Sequence, residues 1–271
     1  MTFTPKIEHT TSPDGTQIAY QVQGVGPALV VVTGSVGNME QWQDCARELA
    51  KYFTVYLYDR RGRGNSGDHP EYSIATEVED LQAILKVACP GARVLAHSYG
   101  ALCALQHALT HGIQAELFLF EPPLNLDRLV AGEYLVDYRA AIEAGDHDRA
   151  MRIAMIGMVD LPAEAVEQIA QSPLWPQLVS LAPTWTREFE QIDALGFDHR
   201  RYRTLPGEKM HFLVGTKTTP MLQRSTKLLT ELLPEAELSE MRGLNHFSHV
   251  TSPVEVASYV AQAAGRLEDA A

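Results

Sequence analysis

Apolar and polar positions alternate from Ile7 to Val25 around Ser12-Pro13-Asp14-Gly15-Thr16. Pro-Asp-Gly is a turn signal between two alternating runs, so this stretch predicts an antiparallel hairpin. The alternation then stops. Ala28 to Val32 is a short run rich in β-branched residues with no polar face, the pattern of a strand covered on both sides. Similar runs recur at Thr54–Tyr58, Arg93–Ala96, Glu116–Phe120, Met210–Val214 and Glu237–Met241. Between them lie stretches of helical periodicity near Gln41–Lys51, Ile74–Val87, Tyr99–Leu109 and Met221–Leu233, and a last one begins at Pro253. Strand and helix in alternation predict a mostly parallel sheet, with right-handed crossovers placing helices on both faces. From Glu121 to Gly207 the strand rhythm is interrupted, and the segment reads as several helices punctuated by Pro162, Pro173, Pro176 and Pro183. The expected organisation is an α/β core from residues 1–121 and 207–271 with a helical cap inserted at 122–206.

Charge narrows the partners. The chain carries 22 Lys and Arg against 34 Asp and Glu, a formal net charge of -12, which repels nucleic acid and anionic membrane surfaces. No stretch approaches the ~20 apolar residues of a membrane span, and Met1–Asp14 has no basic segment leading into an apolar run. A cytoplasmic location is the expectation. Cys45, Cys89 and Cys103 are widely spaced with no C-x-x-C pair, so neither a metal nor a redox site is expected and a reduced compartment fits. Cys103 reads as a small buried hydrophobe.

The segment richest in chemistry is Ala96-His97-Ser98-Tyr99-Gly100, set between a buried strand and an Ala- and Leu-rich helix. A serine at such a strand-to-helix turn sits on a sharp bend that exposes its hydroxyl, with small residues on either side allowing close packing. The simpler alternative is a serine that only caps the following helix. Position favours the nucleophile, because ligands of open α/β sheets bind beyond the carboxyl ends of the strands.

With these residues in hand the chain resembles the α/β-hydrolase family over nearly its whole length. Thr33-Gly34-Ser35 looks like that family's oxyanion turn, with Thr33 where His is usual. Asp59-Arg60-Arg61-Gly62-Arg63-Gly64-Asn65-Ser66 matches its D-x-R-G-x-G-x-S loop, and Gly243-Leu244-Asn245-His246-Phe247 its late G-x-x-H-F turn. The resemblance implies that Asp59 and its arginines are structural, and that His246 stands beside Ser98 as general base, with His249 as the fallback. A serine hydroxyl needs such an imidazole to take its proton. Backbone N–H groups of Ser35 and Tyr99 are the expected oxyanion donors.

One departure stands out. The family normally carries Asp after the Met210–Val214 strand, but the loop here reads Gly215-Thr216-Lys217-Thr218-Thr219-Pro220, without a carboxylate. Either the chain is an inactive relative or the acid comes from elsewhere. Glu121, at the end of the preceding strand, is the candidate, since it keeps the chain order Ser, acid, His. Its alternative role is to begin the cap and pair with an arginine. The arrangement is similar to that of fungal zearalenone lactonases, which are α/β-hydrolases with a Glu after this earlier strand.

The cap run Met151–Val159, with Trp175 and Trp185, offers apolar and aromatic surface, and Trp185 is the candidate substrate-binding residue by analogy with a lid tryptophan of the lactonases. Such residues also pack a cap against itself. The expected activity is hydrolysis of a small hydrophobic ester or lactone through an acyl-serine, with no cofactor. Carbon-carbon bond hydrolases and thioesterases share these parts, and a non-catalytic small-molecule binding role stays open.

Overall fold

A computed structural model describes residues 6–267. The ends of the expected core, residues 1–5 and 268–271, lie outside them. Strands β1 (Ile7–Thr11) and β2 (Gln17–Gln23) form the hairpin, closed by Gly15 N–H on Ser12 O at 2.9 Å, and pair antiparallel. Strand β3 (Ala28–Val32) leads to α1 (Met39–Leu49), capped by the Asn38 side chain on Gln41 N–H. That cap sets the helix start two residues before the periodicity suggests. Then come β4 (Thr54–Tyr58), α2 (Ile74–Ala88), β5 (Arg93–His97), α3 (Tyr99–His111) and β6 (Leu117–Phe120).

Between β6 and the next strand the described chain is helical: α4 (Tyr134–Glu143), α5 (His147–Ile153), a π-helical turn over Ala154–Met158, α6 (Ala163–Ala170) and α7 (Trp175–Ala194), followed by 3₁₀ turns. Pro183 does not punctuate this stretch as expected; it lies inside the 20 residues of α7. A proline there forfeits one backbone hydrogen bond, but burial of Trp175, Leu178, Leu181, Trp185, Phe189 and Ile192 along one face of α7 offsets the loss. The chain returns through β7 (Met210–Gly215), α8 (Pro220–Leu232), β8 (Glu237–Met241), the short α9 (Ser248–Thr251) and α10 (Pro253–Ala263).

The eight strands form one sheet in the order β1-β2-β4-β3-β5-β6-β7-β8. β2 meets β4 antiparallel, and every pairing from β4 to β8 is parallel. Side chains of β3, β5 and β6 divide between two buried clusters. Val30, Ala96 and Leu119 join the cluster packed with α2, α3 and the helical insertion, while Val31, Leu95 and Phe118 join the one packed with α1 and α10. A sheet buried on both faces explains the unbroken apolar runs. It also leaves the carboxyl ends of β3, β5, β6 and β7 side by side beneath the insertion.

Candidate active site

Ser98 follows β5 with φ 55° and ψ -125°. A non-glycine residue there costs about 1–3 kcal/mol, strain that persists only where the surroundings enforce it. Its N–H still bonds Phe120 O at 2.8 Å, so the sheet holds the bend from below. The hydroxyl makes no capping bond to α3. It donates instead to His246 Nε2, at 3.1 Å.

His246 arrives from the loop after β8, and its Nδ1 lies 2.6 Å from Glu121 Oε2. An N–H on Nδ1 donating to the carboxylate leaves Nε2 free to accept from Ser98, the tautomer a general base requires. Glu121 is fully buried and, like Ser98, has a positive φ, 51°. Among the described residues no arginine pairs with it; Gly215 N–H donates to its Oε1 and Thr218 Oγ1 to its Oε2, both at 2.8 Å. Thus the loop that lacks a carboxylate supplies donors to one reaching over from the neighbouring strand. Thr218 reads as a bystander in the sequence, because nothing local shows that a side chain from β6 ends beside it.

Two further imidazoles pack around His246. His97 donates from Nε2 to the His246 carbonyl at 3.0 Å, and burial, then the neighbouring His246 and His249, push its pKa well below the ordinary value. His249 stacks on Trp42 with centroids 4.4 Å apart and is pushed down to about 3, first by burial and then by His246. Both stay neutral at ordinary pH. His249, the fallback base, makes no hydrogen bond with Ser98 or Glu121 among the described residues.

The turn after β3 closes the other side. A Cβ added to Gly34 would stand 2.9 Å from Ser98 Cβ and 2.8 Å from His97 Nδ1, so only glycine lets the backbone come this near. Ser35 follows it, and Tyr99 opens α3, where the first N–H groups have no partner within the helix. Ser35 lines the same cavity as Ser98, and Tyr99 directly follows Ser98 in the chain. That cavity measures about 50 Å³, and residues of α7 and the π-helical turn line it. Met155, Met158, Leu178, Trp185 and Phe189 form its far wall, and among the described residues no Asp, Glu, Lys or Arg lines it. Trp185 also stacks on Phe189 at 4.6 Å, so it both packs the insertion and faces the cavity.

A serine hydroxyl on a strained turn, an imidazole hydrogen-bonded to it and a buried carboxylate behind that imidazole are the parts acyl transfer uses. Residues 29–259 match the family described as Alpha/beta hydrolase family, and the chain belongs to that family. A solved α/β hydrolase from Sphaerobacter thermophilus DSM 20745 is 29% identical, with a TM-score of 0.83 over 94% of this chain and 99% of that one. The uncharacterized hydrolase YraK of Bacillus subtilis (strain 168) is 33% identical over 128 residues, 46% of this chain and 47% of that protein. The N-formylmaleamate deformylase of Pseudomonas putida is 33% identical over 107 residues, 38% of this chain and 40% of its own. The chain therefore spans less than half the length of these two curated relatives. Among the described residues no helix is long and apolar enough to cross a membrane.

Proposed function

We propose that this chain is a serine hydrolase that cleaves an uncharged, apolar carboxylic ester or lactone through an acyl-serine intermediate. The observation that carries the reading is the continuous hydrogen-bonded relay from Ser98 through His246 to Glu121, opening into a cavity without a charged side chain. Ser98 Oγ attacks the carbonyl carbon while His246 Nε2 takes its proton. The tetrahedral oxyanion is met by the Ser35 and Tyr99 N–H groups, each such donor being worth roughly 3 kcal/mol. His246 then returns the proton to the leaving alkoxide oxygen, and the acyl-serine forms. Water, deprotonated by the same nitrogen, attacks the acyl carbon and frees Ser98. Glu121 keeps the imidazole oriented and stabilises its positive charge.

The helical insertion acts as a lid, since residues of α7 and the π-helical turn line the cavity beside Ser98. Apolar lining supports a hydrophobic acyl or ring portion. It disfavours an anion such as the one named for the deformylase relative, because no cation lines the pocket to receive it. A carboxylate after β6 in place of β7 is similar to the arrangement of the zearalenone lactonases, which supports the triad more than the substrate. The intact relay favours catalysis over a purely ligand-binding role.

The test is labelling with a fluorophosphonate followed by mass spectrometry of the modified peptide. Ser98 should carry the label, and Ser98→Ala should lose it and drop ester turnover by a factor of about a million with the fold intact. Retained turnover in that variant would reject the mechanism. A panel of neutral and anionic esters, lactones and thioesters then defines the substrate, with neutral apolar esters and lactones expected to lead.

A further inference from the structure

A buried ionic cluster lies against the nucleophile's pocket without a part in the relay. The side chains of Arg60, Arg63, Glu77 and Glu188 have no exposed surface. Arg60 binds Glu77 at 2.8 Å and Glu188 at 2.6 Å, and Arg63 binds the same Glu188 Oε1. Burying four charges carries a large desolvation cost, so such a group is a weak source of stability in itself.

The arginines have a second target. Arg60 Nη2 donates to Gly34 O at 3.0 Å, and Arg63 Nη1 donates to the same oxygen at 3.3 Å and to Gly37 O at 3.4 Å. Gly34 O belongs to the peptide whose N–H is that of Ser35. In a planar trans peptide the C=O and N–H point in opposite directions, so pinning the oxygen fixes where the N–H points. Cationic donors on the oxygen also polarise the unit and strengthen its N–H as a donor.

Glu188 is the member that does not come from the core. It sits in α7, 125 residues along the chain from Arg63, and accepts from both guanidinium groups at once. Burial alone would raise its pKa, but Arg60, Arg63 and the nearby Ser35 hydroxyl outweigh that and hold it below the usual range. Its neighbour Arg187 fastens the same stretch of α7 to the core through Asp68 at 3.0 Å.

We propose that Arg60, Arg63 and Glu188 are positioning residues that orient and polarise the Gly34–Ser35 peptide, so that the oxyanion donor is fully formed only while α7 is seated on the core. The inference rests on the serine hydrolase reading above. It predicts that removing Glu188 harms binding of an oxyanion far more than binding of a neutral molecule of the same shape.

The experiment compares Glu188→Gln and the charge-balanced pair Arg63→Met with Glu188→Gln, which guards against misfolding from an uncompensated arginine. Each protein is titrated with an apolar trifluoromethyl ketone and with the matching secondary alcohol. Ser98 Oγ adds to the ketone carbon, its proton passes to His246, and the former carbonyl oxygen becomes an oxyanion; the alcohol cannot do this. Expected results are a ketone affinity weaker by about tenfold or more, alcohol affinity within about twofold, a fall in kcat for a small ester at unchanged KM, and an unshifted pH profile. Glu188→Asp should recover part of the ketone affinity. Equal weakening of ketone and alcohol, or no loss of ketone affinity, would overturn the proposal and leave the cluster as a mere fastening. If the unmodified protein binds ketone no better than alcohol and resists the fluorophosphonate, the underlying hydrolase reading is what has failed.

Discussion

Thr218 donates its hydroxyl to the same oxygen of Glu121 that accepts from His246, at 2.8 and 2.6 Å respectively. The loop after β7, where the family normally carries the acid, thus provides part of the cradle for an acid that starts one strand away. Strands lie about 4.8 Å apart, and a glutamate has one more methylene than an aspartate with which to cross that gap. Gly215, at the end of β7, closes the cradle with its N–H, and a side chain there would collide with Leu244 O at 2.4 Å.

Glu121→Gln should therefore cut kcat by roughly 10⁴, because an amide no longer selects the Nδ1–H tautomer of His246. Glu121→Asp tests reach rather than charge. It shortens the side chain by about 1.5 Å, and a displacement of that size at a reacting group can cost about a hundredfold. Steady-state kinetics on one activated ester decides both. An aspartate variant as active as the parent would mean that the backbone adapts and length is unimportant.

Thr218→Val should lower turnover by roughly tenfold, since one hydrogen bond to a charged group is lost while His246 and Gly215 still satisfy the carboxylate. Thr219→Ala should change little, because the buried Thr219 hydroxyl has no hydrogen-bond partner among the described residues. The pair forms an internal control: equal losses would show that the loop backbone, not the Thr218 hydroxyl, supports Glu121.

What could be read in advance follows from how local each signal is. Ala28–Val32 and Thr54–Tyr58 announce themselves because a strand buried on both faces needs an unbroken apolar run. Ser98 and His246 stand in short motifs tied to a strand end, and Glu121 could be suspected from its place after β6. The support around them was hidden. Thr218 meets Glu121 across 97 residues and Glu188 meets Arg60 across 128, and no periodicity records which side chains converge over such separations. Pro183 misled for the opposite reason, since a strong local breaker was overridden by the buried face of α7.

Gly100 offers a test of the bend itself. A Cβ there would come within 2.5 Å of Thr33 O and 2.7 Å of Val32 O, both backbone atoms with little freedom to yield. Gly100→Ala should push α3 away from β3, cost about 1–3 kcal/mol of stability, and lower fluorophosphonate reactivity by displacing Ser98 relative to the Ser35 turn. Denaturant melts and labelling rates measure the two effects. A variant that labels at the parental rate would show that the elbow tolerates a wider separation.

The buried histidines predict how the fold responds to acid. In the folded chain His249 is held neutral down to about pH 3 by burial and by His246, whereas an unfolded histidine takes its proton near ~6.5. Between those values the unfolded state binds a proton that the folded state refuses. The stabilisation is complete above ~6.5 and is lost as pH falls toward 3, by up to about 1.4 kcal/mol per pH unit for one site. His97, pushed down well below the ordinary value, and His107, pushed down to about 4, act in the same direction. His249→Phe keeps a ring against Trp42 but cannot titrate, so the slope of unfolding free energy against pH, measured by urea melts from pH 6.5 to 4.5, should become shallower by about one proton. The slope is the readout, since replacing the ring also alters absolute stability. Identical slopes for parent and variant would mean that His249 accepts its proton in the folded protein, and that the packing around Trp42 opens under mild acid.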